Sequence, residues 1–226
     1  MGAGSAERTF SFVDLAGFSA LTEVHGDDHA VAVLDRFAIL AAQPMSAGDE
    51  LIKSIGDAVM FASPDAASAV GLLGRLWQQC RAEQDFPLPR AGAHHGRAVA
   101  RGGDYFGAAV NLAARVASLA GGGTLLATGT VADAARAARL DVVELGHRRF
   151  RNMAQPVSVF EILAEPDDGW QTVDPVCRMQ VAADRAAGSL VGGGRRFWFC
   201  SLACASAFAT NPASYLCDSV LEPVES

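Results

Sequence analysis

Lysine is almost absent from this chain. Of its 18 basic residues, 17 are arginine, and the single lysine is Lys53. Acidic residues outnumber basic ones by 25 to 18, for a net charge of −7. Neither side of residue 163 is basic, which argues against a nucleic-acid partner. Long apolar runs are missing too. The longest uncharged stretch, Val116–Ala132, holds Gly121, Gly122, Gly123 and three threonines, unlike a membrane helix. Met1–Thr9 is short and polar, so no secretory signal is expected, and Ala6 stands where myristoylation prefers Ser or Thr. The expectation is a cytoplasmic protein with no membrane association. Cysteine is scarce up to residue 176, where Cys80 stands alone; Cys177, Cys200, Cys204 and Cys217 then follow closely. In a cytosolic chain such a cluster points to metal or redox chemistry before disulfides.

What is present is a globular composition, 50% hydrophobic and 19% charged, long enough for one good core and a smaller unit. Lys53-Ser54-Ile55-Gly56-Asp57 is a polar turn between apolar segments Glu50–Lys53 and Ala58–Ala62, hence a β-hairpin with a cation and a carboxylate at its tip. It is either a surface hairpin with an internal ion pair or part of a site. Arg8–Leu15 reads as a strand ending at Asp14. Gly17 then turns the chain into a helix, with Ser19 as expected N-cap. A carboxylate beside a helix N-terminus is either an ordinary β–α turn or a place for a metal-bound phosphate.

Asp27-Asp28 cap a longer helix with Val33, Leu34, Phe37, Leu40 and Ala41 on one face. Pro64-Asp65 starts another, whose Cys80 reads as a buried core thiol. Arg90–Arg101 is a strand in which His94 and His95 face opposite ways and cannot share a metal. Gly102–Gly107 turns into the small-residue helix Ala108–Leu119. There Asn111 and Arg115 lie on one face, with Leu112, Val116 and Leu119 on the other. The polar pair is either solvated or offers donors to a sugar and a phosphate. Ala108, Ala109 and Ala114 would admit a ligand or a second subunit. Strands at Thr124–Ala127, Leu140–Leu145 and Val157–Leu163 and a helix at Val131–Ala138 complete the unit. The fold class is α+β, a ferredoxin-like βαββαβ core with helices on one sheet face, followed by a small cysteine-containing domain.

Three segments together resemble the catalytic domain of class III nucleotidyl cyclases: Phe12–Ser19 (Phe-Val-Asp-Leu-Ala-Gly-Phe-Ser), Lys53–Met60 (Lys-Ser-Ile-Gly-Asp-Ala-Val-Met) and Gly103–Arg115 (Gly-Asp-Tyr-Phe-Gly-Ala-Ala-Val-Asn-Leu-Ala-Ala-Arg). With Arg149–Ile162 they span nearly all of residues 8–163. The resemblance implies an adenylate cyclase that turns ATP into cyclic AMP and pyrophosphate. It implies two divalent ions, Mg²⁺ or Mn²⁺, on Asp14 and Asp57, with the Leu15 carbonyl a further ligand. Gly17 and Phe18 would meet the phosphates. Lys53 and Asp104 would read adenine, Asn111 would orient the ribose, and Arg115 would stabilise charge at the α-phosphate. Arg151 falls where the family usually has a phosphate-binding lysine in a Leu-Lys-Gly setting; Phe150-Arg151-Asn152 keeps the charge and changes the loop. The family's sites lie across a head-to-tail dimer, so a homodimer is implied. Two other readings stand beside it: a low-turnover nucleotide- or metal-responsive module, and another metal-dependent nucleotidyl transferase.

Domain boundaries are expected at 1–163 for the cyclase-like unit, 164–172 for a linker, 173–217 for the second unit and 218–226 for a tail. Residues 173–217 resemble a YHS domain, a small module related to treble-clef-like metal binders, except that Arg178 stands where the family commonly has Gly. So short a unit gains from a metal staple. Cys177, Cys200 and Cys204 form a partial Zn²⁺ shell, with Cys217 or Asp174 as fourth ligand; the other reading is three packed, reduced thiols. Such a unit could sense a metal or redox signal for the dimer.

Overall fold

The computed structural model describes residues 4–151, 153, 155–163 and 171–216. The first unit runs β1 (Gly4–Leu15), α1 (Phe18–His25), α2 (Asp27–Ala42), β2 (Glu50–Ile55), β3 (Ala58–Ser63), α3 (Ala66–Ala82), β4 (Pro89–Arg101), β5 (Asp104–Phe106), α4 (Ala108–Ala117), β6 (Leu125–Thr128), α5 (Gly129–Ala137), β7 (Val142–Arg148) and β8 (Val157–Ile162). Its sheet is ordered β2-β3-β1-β4-β6-β8-β7, with β5 paired to β4. Among the described residues, only β4 and β6 pair in parallel. The α+β expectation holds, with one addition to the one-face layout. Alternation along β1 sends Val13 and Leu15 towards α1, α2, α3 and α5, and Phe10 and Phe12 to the opposite face, which α4 covers.

The close seating of α4 has a plain cause. A Cβ on Gly92 would lie 2.0 Å from the Ala117 nitrogen, and one on Gly96 would lie 3.0 Å from the Ala109 Cβ. Glycines on β4 and alanines on α4 therefore let helix and strand touch backbone to backbone. Ala109, read above as open to a ligand or a second subunit, is buried against its own sheet. His94 and His95 do face opposite ways: His94 Nδ1 lies 2.7 Å from Thr128 Oγ1 and His95 Nδ1 lies 2.9 Å from Thr9 Oγ1.

The second unit is β9 (Gln171–Val173), β10 (Gln180–Ala182), the hairpin β11 (Gly188–Gly192) and β12 (Arg195–Phe199), α6 (Leu202–Thr210) and α7 (Ala213–Leu216). β9 begins within the expected linker; residues 164–170 lie outside the described residues, as do Cys217 and the tail 218–226. The two units share one core. Val176, Met179, Phe199 and Phe208 belong to the same buried cluster as Val13, Leu72 and Trp77. Gln180 Nε2 donates to the carbonyls of Cys80 and Phe86, and Leu88 N donates to Arg178 O. Among the described residues, no helix is long and apolar enough to cross a membrane.

Candidate functional site

Asp14 is the penultimate residue of β1, directly opposite Arg90 on β4 and Ala58 on β3. That register delivers a guanidinium to the carboxylate: Arg90 Nε donates to Oδ1 at 2.5 Å and Nη2 to Oδ2 at 3.1 Å. Asp57 follows Gly56 (φ 61°) in the β2–β3 turn, where the left-handed glycine makes the tight reversal. Burial pushes the Asp57 carboxyl above the ordinary aspartate range; the Asp14 charge adds to this and Arg90 opposes it. Two carboxylates thus face one cation. Arg90 was not visible as a site residue in the sequence, because only strand pairing places it there.

The turn after β1 differs from expectation in one respect. Ser19 lies inside α1, and the N-cap is Gly17, in the left-handed region at φ 71°. Leu21 N donates to Gly17 O at 2.8 Å, the first bond of the helix. No side chain caps this end, so the leading N–H groups of α1 are those an anion would meet. Leu15, Gly17, Phe18, Asp57 and Arg90 line a cleft of about 270 Å³ whose other wall is Pro175, Val176 and Arg178 of the second unit.

Lys53 and Asp104, 51 residues apart, are brought together. β2 carries a bulge between Leu51 and Lys53, and β5 folds back from β4. Lys53 Nζ then donates to Asp104 Oδ2 at 2.6 Å. The lysine holds the Asp104 carboxyl below the usual carboxylate range, and the Tyr105 N–H bonded to Oδ1 helps. On α4, Asn111 is exposed, and Arg115 donates through Nη1 to the Arg151 carbonyl. Three groups therefore form: Asp14 with Asp57, Lys53 with Asp104, and Asn111 and Arg115 with the Arg151 loop. None of Lys53, Asp104, Asn111, Arg115 and Arg151 lines the Asp57 cleft.

A second cluster lies at the other end of α1. Cys177 Sγ is 3.4 Å from Cys200 Sγ, which is 3.7 Å from Cys204 Sγ. His25, the last residue of α1, points Nε2 to within 3.5 Å of Cys200 Sγ and 3.6 Å of Cys204 Sγ. The four donor atoms lie within 4.8 Å of one another, a set compatible with a metal site. The fourth member is thus His25 from the first unit. Asp174 is not a member: its buried carboxylate accepts the N–H groups of Val176 and Cys200, each at 2.8 Å. Sequence gave no sign of His25, which reads as a basic residue in the last helical turn. Cys80 is fully buried and its thiol is pushed up to about 12 by burial, so it stays inert as expected.

Comparison with known proteins fits these two halves. Residues 172–218 match the profile of the YHS domain. A pH-sensitive adenylate cyclase of Mycobacterium tuberculosis is 36% identical over 167 residues, covering 70% of this chain and 41% of its own length. An adenylate cyclase of Streptomyces griseus is 36% identical over 124 residues, covering 54% and 31%. The chain thus spans less than half the length of these curated relatives. The fold matches the adenylyl cyclase CyaB of P. aeruginosa (TM-score 0.59, 21% identity, 74% of this chain and 99% of that one). It also matches the guanylyl cyclase Cya2 (TM-score 0.60, 21% identity, 74% and 98%). The chain belongs to the class III adenylyl/guanylyl cyclases through its catalytic domain, and a YHS domain follows at its C-terminal end.

Proposed function

We propose that the chain is an adenylate cyclase that converts ATP to 3′,5′-cyclic AMP and pyrophosphate. The observation that carries this reading is the Lys53–Asp104 pair, held at 2.6 Å by two strands. An ammonium beside a carboxylate offers one donor and one acceptor, the complement of adenine N1 and its exocyclic amine; guanine presents the reverse pattern. Asn111 orients the ribose. Arg115, steadied by the Arg151 carbonyl, meets charge developing around the α-phosphate. Arg151 adds a cation for the phosphates, and the open N-terminus of α1 at Gly17-Phe18 receives a phosphate oxygen.

Asp14, Asp57 and the Leu15 carbonyl are the candidate holders of two divalent ions, Mg²⁺ or Mn²⁺. The donor set fits hard cations, and the guanidinium that Asp14 already accepts supports a preference for positive charge there. Ions held there would neutralise the triphosphate and acidify the ribose 3′-hydroxyl. The exclusion of Lys53, Asp104, Asn111 and Arg115 from the Asp57 cleft favours active sites shared across a homodimer. The test is incubation with ATP, and separately GTP, with Mg²⁺ or Mn²⁺, followed by detection of cyclic nucleotide. Cyclic AMP is expected, and no cyclic product under either metal would overturn the proposal.

One observation favours a second reading, a low-turnover nucleotide-responsive module. Asp14 is already ion-paired to Arg90, and Arg178 of the YHS domain lies against Gly17. Nucleotide binding without cyclic product would support it.

A further inference from the structure

We infer that His25 completes a tetrahedral Zn²⁺ site with Cys177, Cys200 and Cys204, and that this ion ties the YHS domain to the helix that opens the catalytic phosphate turn. Zinc with sulfur at about 2.3 Å and nitrogen at about 2.0 Å sets S···S near 3.8 Å and S···N near 3.5 Å in a tetrahedron. Cys177–Cys200 and Cys200–Cys204 lie at 3.4 and 3.7 Å, His25 Nε2 lies 3.5 and 3.6 Å from Cys200 and Cys204, and all four donor atoms fall within 4.8 Å of one another. Three sulfurs and one imidazole are the donor set of a closed zinc centre, not of Mg²⁺ or Ca²⁺.

The surroundings suit such a centre. Asp174 accepts the backbone N–H of Cys200 and fixes the loop that carries its sulfur. Ser201 caps α6 by accepting the Cys204 N–H, which places the Cys204 sulfur in the first turn of that helix.

The position of His25 gives the ion its reach. α1 spans eight residues, Phe18–His25, about 12 Å. The YHS domain grips both ends. At the far end His25 joins the thiols. At the near end a Cβ on Gly17 would come within 2.8 Å of the Arg178 side chain, so the two already touch. Arg178 follows the ligand Cys177 directly, has φ 59°, and donates through Nη2 to Tyr215 O. Zinc loading therefore fixes α1 between two contacts and sets the turn that meets the nucleotide. The regulatory part of this inference rests on the proposed cyclase activity; the zinc part does not.

The test uses the full chain. Protein purified without added metal should carry about one zinc per chain. Competition with a chromophoric chelator should show His25→Ala weakening zinc about tenfold or more, with His25→Cys restoring it. Hydrogen exchange of the α1 amides from Leu21 to His25 should quicken when zinc is stripped from the unsubstituted protein. In His25→Ala it should be fast with or without zinc. Zinc removal should also raise KM for ATP. Wild-type zinc affinity in His25→Ala, a metal-free chain that does not take up zinc, or α1 exchange indifferent to zinc would each overturn the inference. Loss of cyclic AMP formation with the zinc and exchange results intact would count against the cyclase reading alone.

Discussion

Lys53 Nζ bonds to Asp104 Oδ2 at 2.6 Å, so each is the other's partner before any base arrives. A base read by this pair, as proposed, would have to take over that bond or share it, and the two side chains are only 34% and 27% exposed.

Lys53→Arg keeps the charge and changes the shape. A planar fork would engage Asp104 through two nitrogens and leave no single donor aimed at a ring nitrogen. The kcat/KM for ATP should fall about tenfold or more, the scale of one charged hydrogen bond. Steady-state rates with ATP and GTP check this; near-normal ATP turnover would remove the role given to Lys53.

If Asp14 holds a divalent ion as proposed, Arg90 competes with that ion for the carboxylate. In Arg90→Met the carboxylate loses its bidentate partner and Asp57 loses a nearby positive charge. The concentration of Mn²⁺ needed for half-maximal activity should drop several-fold, by about the order of one screened ion pair. An increase would mean that Arg90 serves the nucleotide instead.

The proposed sharing of sites across a homodimer makes a complementation prediction. Asp57→Ala and Lys53→Ala should each be nearly inactive as homodimers, whereas their mixture should regain one intact site per heterodimer. Activity assays on mixtures, with native mass spectrometry to show that mixed dimers form, decide the point. Mixed dimers without recovered activity would contradict the shared-site arrangement.

His94 gives the fold a pH dependence. Burial depresses its imidazole below the ordinary value, and the neighbouring His95 charge acts the same way. As pH falls below about 6.5 the unfolded chain takes up this proton while the native chain resists it, so stability declines with falling pH. Tm measured from pH 7.5 to 5 should fall less steeply in His94→Gln than in the natural chain. An identical slope would show that His94 is not the group responsible.

The sequence made the catalytic unit legible because its key residues sit in short local patterns. Asp14 ends a strand, Asp57 follows a hairpin glycine, and Asn111 and Arg115 lie one helical turn apart. Each can be found within a dozen neighbours. Arg90 could not, since its place opposite Asp14 depends on how β1 and β4 register. His25 was hidden more deeply, lying 152 positions before Cys177 and in the other domain. The Ser19 cap failed for a local reason: Gly17 takes the left-handed turn first, so the helix starts at Phe18. Arg178 was seen as a departure from glycine, and its positive φ supplies the physical basis for that preference.

The shared core also bears on how the chain is made. The carbonyls of Cys80 and Phe86 receive Gln180, whose side chain lies 100 and 94 positions later. At a synthesis rate of about 5–20 residues per second, these two carbonyls wait several seconds on the ribosome before that partner exists. During the wait the apolar surface that Val176, Met179 and Phe199 later cover stays open to water and to chaperones. The later-made YHS residues thus decide when the earlier-made catalytic unit becomes finished.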